Sequence, residues 1–81
     1  MSDLTFQVRL GRVIHMHRVM IGMGRRELAT RARISYPYLS GIENGKKFPT
    51  IATLANIATA LHTDLSTLLN RVEEGTFPNA E

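Results

Sequence analysis

The cationic side chains are unevenly placed along this chain, and their placement points to the chemistry it suits. Nine of the ten Lys and Arg residues lie between positions 9 and 47: Arg9, Arg12, Arg18, Arg25, Arg26, Arg31, Arg33, Lys46 and Lys47. Only Glu27 and Glu43 oppose them, so this stretch carries +7. The remainder sets Arg71 against Asp3, Asp64, Glu73, Glu74 and Glu81 and carries −4, which leaves the 81-residue chain at +3. A basic half suits a polyanionic partner and frees the acidic half for a different task. On charge alone, a solvated face without a partner is the plainer reading.

Other chemistries find less support. Residues two apart on a helix point about 200° away from each other, so His15 and His17 do not converge on one metal ion. His62 stands alone in a turn segment. Met16, Met20 and Met23 suit core or interface filling better than metal ligation. No Ser, His and acid share a helical face, and the segment from Gly22 to Gly24 lacks the lysine of a phosphate-binding loop. The chain has no cysteine, which excludes disulfides and thiolate zinc sites. No enzyme activity, metal or cofactor is expected. Tyr36 and Tyr38 are two of only five aromatic residues, too few for a platform that stacks single-stranded bases.

The elements that must hold the basic residues follow from breakers and apolar spacing. Breakers fall at 22–24, 33–35, 44–49 and 62–64. Between them, Leu10, Val13 and Ile14, with Val19 or Ile21, mark a first helix over roughly 4–20. Its beginning is less defined, because Leu4, Phe6, Val8 and Leu10 alternate with period two. Leu28, Ala29 and Ala32 mark a short second helix, and Leu39 and Ile42 a short third. Ile51, Leu54, Ile57, Ala58 and Leu61 mark a fourth. Leu65, Leu68 and Leu69 mark a fifth that continues toward Val72. Thr50 and Asp64 are the expected N-caps of the last two. Nothing asks for a sheet.

With 43% apolar and 21% charged residues, the composition is that of an ordinary globular domain. One domain is expected over 10–72, preceded by an extension or helix start at 1–9 and followed by a flexible tail at 73–81. A chain this short buries only about 60% of its unfolded surface, so a partner subunit would help. The apolar stretches from Val19 to Met23 and from Ile51 to Leu61 are too short to span a bilayer. Met1-Ser2-Asp3 opens with an acid where a secretory signal carries positive charge. A cytoplasmic location is the expectation.

Two short helices joined by a tight turn in a basic region have the geometry of a helix-turn-helix. The residues Leu10-Gly11, Ile14, Arg18, Gly22, Glu27-Leu28-Ala29, Ile34-Ser35 and Tyr38-Leu39-Ser40 strengthen that reading. So do Ile42-Glu43-Asn44-Gly45-Lys46, Pro49, Leu54, Ile57-Ala58, Ala60-Leu61, Leu65 and Leu68-Leu69. Over residues 10–69 this set resembles the Cro/C1-type helix-turn-helix family of phage repressors, the xenobiotic-response-element class.

The resemblance implies an all-α, five-helix, lambda-repressor-like DNA-binding domain. Residues 25–32 would brace a recognition helix at 35–43 that enters the major groove. Ser35, Tyr36, Pro37, Tyr38, Ser40 and Gly41 would face the bases, while Arg25, Asn44, Lys46 and Lys47 would contact phosphates. Arg18 and Glu43 would form a structural ion pair. By the same resemblance the chain would be a sequence-specific regulator of transcription that binds double-stranded DNA, and a repressor. It would form a homodimer through Leu61, Leu65, Leu68, Leu69 and Val72, reading a pseudo-palindromic operator with half-sites about 34 Å apart. Its size also resembles restriction–modification controller proteins and antitoxins. The alternative is an antitoxin that binds a protein toxin and autoregulates its operon.

Four features depart from the family pattern. Arg33 stands where glycine is usual, and left-handed dihedrals there would cost about 1–2 kcal/mol. Pro37 prefers the first helical position and pushes Tyr36 out of the α region, so the third helix is expected to start late. The groove-facing set contains no Arg, Asn or Gln for bidentate base contacts. Sequence preference is therefore expected to lean on DNA shape and on Asn44, Lys46 and Lys47. Val19, Met20 and Ile21 replace polar residues, either buried beneath the turn or exposed as a contact patch.

Overall fold

The computed structural model describes residues 3–74, with side chains from Thr5 onward. Five helices and no strand occur among the described residues: α1 (Asp3–Met20), α2 (Arg25–Ala32), α3 (Tyr36–Glu43), α4 (Ile51–Ala60) and α5 (Leu65–Glu74). α1 packs on α3 and α5, α2 packs on α3 and α4, and α4 packs on α5. Leu10, Val13 and Ile14 from α1 meet Leu28, Ala29 and Ala32 from α2, Leu39 and Ile42 from α3, Leu54, Ile57 and Ala58 from α4, and Leu68 and Val72 from α5. Burial of each larger aliphatic contributes about 1.5–3 kcal/mol, so this single core is what holds a helix of eight residues in place.

The start of α1 is set by long-range packing, not by the period-two pattern. Phe6 packs on the core and stacks on Phe48 with ring centroids 5.8 Å apart. Residues 3–9, expected as an extension or a helix start, are therefore the start of α1. At the other end, Glu73 and Glu74 belong to α5, which shortens the expected tail; residues 75–81, like Met1 and Ser2, lie outside the described residues.

The turn chemistry differs from expectation at Pro37. Helix α3 begins at Tyr36, not later, because Ser35 caps it: its Oγ accepts the Tyr38 N–H at 3.2 Å. Proline in the first helical turn removes only an N–H that has no intrahelical partner. At the end of α2, Arg33 does adopt left-handed dihedrals, φ 62° and ψ 41°. The Ile34 N–H then reaches the Ala29 carbonyl at 3.0 Å, closing the helix in a Schellman motif where glycine is the usual residue.

Two sets of apolar residues lie differently from expectation. Leu61, Leu68 and Val72 are fully buried in the core of the single chain, so their surfaces are already used and they do not form the expected dimer contact. Leu65 and Leu69 stay half-buried on the same element. Ile51 is 67% exposed, because it is the first residue of α4 and precedes the buried stripe. Val19, Met20 and Ile21 are exposed, whereas Met23 is buried.

Close approach of α1 to α3 requires Gly11. A Cβ there would collide with the Ile42 carbonyl oxygen and lie 2.8 Å from that of Glu43. Gly11→Ala is expected to lower unfolding free energy by about 1–3 kcal/mol. Arg33→Gly, which relieves the left-handed strain, should raise it by about 0.5–1 kcal/mol. Urea unfolding checks both; a neutral Gly11→Ala would contradict the close contact.

Candidate nucleic-acid interface

Glu43, in the last turn of α3, organises the basic side chains around it. Its carboxylate accepts from Arg18 Nε at 2.8 Å and Arg18 Nη2 at 3.0 Å, a bidentate pair. Arg25 Nε donates to the same carboxylate at 3.1 Å, and His15 Nδ1 lies at 3.1 Å. Arg18 Nη1 also donates to the Met23 carbonyl at 3.0 Å, which ties the α1–α2 turn into the cluster. Burial alone would push the Glu43 carboxyl up. The hydrogen bonds from Arg18 and His15 and the charges of Arg18 and Arg25 outweigh it and hold the group below its ordinary 4.5.

The expected Arg18–Glu43 pair is therefore present but belongs to a larger cluster. His15, which the sequence offers only as a metal ligand, joins it because it lies three residues before Arg18 on one helical face. Arg25 is also more committed than expected, since its Nη1 approaches Ser40 Oγ at 3.4 Å while its Nε holds Glu43. It spans the start of α2 and the end of α3.

Helix α3 turns Leu39, Ile42 and Glu43 inward and leaves the opposite face to solvent. Ser35, Tyr36 and Pro37 are exposed, with Tyr38 and Ser40 half-buried beside them. Gly41 is different: a Cβ there would lie 2.6 Å from Lys47 Cγ, so the lysine stem covers it. Gly41 serves the following loop through its carbonyl, which accepts the Lys46 and Lys47 N–H groups at 2.8 and 3.1 Å. That anchoring presents Asn44, Lys46 and Lys47 as exposed side chains beyond the end of α3. Gln7 Nε2 donates to the Gly45 carbonyl at 2.8 Å and fixes the loop to α1.

One further residue joins the face without having been expected there. Arg26, in the first turn of α2, places its guanidinium 5.0 Å from the centroid of the Tyr36 ring. An exposed face flanked by cations, with a capped helix start at one end and a pinned basic loop at the other, is built to meet a polyanion. Among the described residues no group of His and acids is placed to hold a metal ion, and no helix is long and apolar enough to cross a membrane.

Comparison with known families accords with this geometry. Residues 9–71 match the helix-turn-helix domain family. The chain belongs to that family. Among relatives of this helix-turn-helix chain, the transcriptional regulator ClgR of Mycobacterium tuberculosis is 42% identical over 60 residues, 74% of this chain. The match spans 54% of that ClgR protein, so the chain corresponds to about half of its length. The ImmF control region 10 kDa protein of Bacillus phage phi105 is 36% identical over 76 residues, covering 89% of this chain and 84% of that protein. The crystal structure of the clp gene regulator ClgR from Corynebacterium glutamicum aligns with a TM-score of 0.83 at 30% identity, over 86% of this chain and 74% of that one. The restriction–modification controller protein C.Esp1396I, crystallised as a tetramer with its natural 35 base-pair operator, aligns with a TM-score of 0.77 at 26% identity. That alignment covers 91% of this chain and 95% of the controller chain.

Two buried groups give this helix-turn-helix a defined response to acid. His17 is buried with no partner for Nδ1, and burial, then the charges of Arg71 and His62, hold it below its ordinary 6.5. Both His17 and Glu43 bind protons more readily unfolded than folded, so each contributes stability that is lost as pH falls. Unfolding free energy should be greatest above pH 6.5, fall first as His17 titrates and fall again below pH 4.5 as Glu43 does. Glu43→Gln should cost about 3–5 kcal/mol at neutral pH, because Arg18 loses its charge partner, and should shrink the second decline to the part that Asp64, also held below its ordinary value, contributes. Urea titrations from neutral to acid pH test this; an unchanged acid limb in Glu43→Gln would contradict the role given to Glu43.

Proposed function

We propose that this protein regulates transcription by binding double-stranded DNA, with the outer face of α3 in the major groove. The observation that carries the proposal is the joint placement of that solvent-facing surface and the pinned Asn44–Lys47 loop, with Glu43 locking α3 to the body and the Gly41 carbonyl and Gln7 holding the loop. Ser35, Tyr36, Tyr38 and Ser40 meet base edges, while Asn44, Lys46 and Lys47 grip the backbone. Arg25 reaches phosphate with the part of its guanidinium not engaged by Glu43. The relatives, a transcriptional regulator, a phage control-region protein and an operator-bound controller, support this reading.

The regulator acts as a repressor and as a two-fold homodimer in the cytoplasm. Its contact surface is drawn from the half-buried Leu65 and Leu69, since Leu61, Leu68 and Val72 are consumed by the core. An isologous dimer reads inverted half-sites about one helical turn apart. The exposed Val19, Met20 and Ile21 favour a second reading, a contact with a protein such as a toxin. Such a partner would still co-purify with the chain when Lys46 and Lys47 are replaced.

Charge at the loop gives the direct test. Lys46→Ala with Lys47→Ala should weaken binding to all duplexes alike and reduce the slope of log K against log salt by about 2. Fluorescence anisotropy across a salt series measures it. Unchanged affinity and slope would remove the DNA reading and leave the protein-docking one.

A further inference from the structure

Helix α2 carries three arginines, and two of them hold carboxylates: Arg25 binds Glu43, and Arg31 binds Glu27 at 2.9 Å. Arg26 binds none among the described residues. Its contact is with the Tyr36 ring, 5.0 Å from guanidinium carbon to centroid, and both side chains are exposed. A guanidinium within about 6 Å of a ring face is attracted by the negative face of the π-system, and its N–H donors remain free for another acceptor. Tyr36 is the first residue of α3, and the first turn of a recognition helix is the part that reaches base edges. Arg26 therefore supplies, from the bracing helix, the donor fork that Ser35, Tyr36, Pro37, Tyr38 and Ser40 lack.

We propose that Arg26 is a specificity-determining residue: held over Tyr36, its guanidinium reads the O6 and N7 acceptors of a guanine at the edge of the half-site. The assignment rests on the DNA reading given above. It assigns Tyr36 two tasks, a contact surface of its own and a platform that positions the arginine. A phosphate contact would make a different demand, because it needs positive charge without the planar fork, and lysine satisfies it. The two roles therefore separate experimentally.

The test selects binding sites from random duplexes with the wild-type chain, Arg26→Ala, Arg26→Lys, Tyr36→Leu and the double variant Arg26→Ala/Tyr36→Leu. Competition on single-base variants of the selected site follows. Because both residues are exposed, the variants should keep their helical circular dichroism. The wild type should favour guanine at one position per half-site by roughly 5- to 150-fold. Arg26→Ala should lose that preference while keeping the others, and Arg26→Lys, which lacks the planar fork and its seat on the ring, should weaken it at the same position. Tyr36→Leu should weaken it at the same position, and the double variant should show no additional loss there. Uniform weakening of Arg26→Ala on every duplex, restored by Arg26→Lys, would overturn the assignment in favour of a phosphate contact. Unchanged selection by either Arg26 variant would overturn it outright. Failure of the wild type to bind any duplex would instead remove the DNA reading itself, and this assignment with it.

Discussion

Glu43 is the residue on which the presentation of α3 depends. Its carboxylate is almost wholly removed from water and is engaged by Arg18, Arg25 and His15 together. A buried charge is expensive unless its lone pairs are filled, and here two guanidinium groups and an imidazole fill them. The geometric consequence matters as much as the energy. Arg18 and His15 belong to α1, Arg25 to α2 and Glu43 to α3, so one group fixes the mutual placement of the long first helix and two short ones. An eight-residue helix has little stability of its own. Packing of Leu39 and Ile42 sets its depth, and the carboxylate cluster anchors its far end.

Around that anchor the same stretch of chain separates its cations by task. Arg18 is buried and structural, while Arg25 is shared between the cluster and the surface. Arg26, Lys46 and Lys47 project outward. The excess of positive charge in the first half is thus spent partly on holding the fold and partly on a solvent-facing rim. Loop anchoring through the Gly41 carbonyl and through Gln7 limits the freedom of the lysines and keeps them beside α3. A preordered rim loses less conformational freedom on meeting a partner than a loose one.

Much of this was legible in the sequence, and the failures have physical causes. The aliphatic spacing from Leu10 to Val72 identified all five helices, because one face of each is buried in a single core. Thr50 and Asp64 marked caps correctly, since their side chains accept the N–H groups of Thr53 and Thr67. Pro37 misled at the start of α3, because local backbone preference gave way to the Ser35 cap. Helical spacing likewise could not tell an outward first-turn residue such as Ile51 from a core one. Leu61, Leu68 and Val72 looked available for a partner until three-dimensional packing placed them inside. Side-chain partnerships across 25 or more residues, such as His15 with Glu43, leave no periodic trace in the sequence.

Backbone amide chemical-shift mapping tests most directly which surface meets DNA. On titration with a duplex carrying the selected site, the largest perturbations should fall on Ser35 to Ser40 and Asn44 to Lys47, with Arg25 and Arg26 beside them. Perturbations confined to Val19–Ile21, or to α5, with α3 unmoved, would contradict the account.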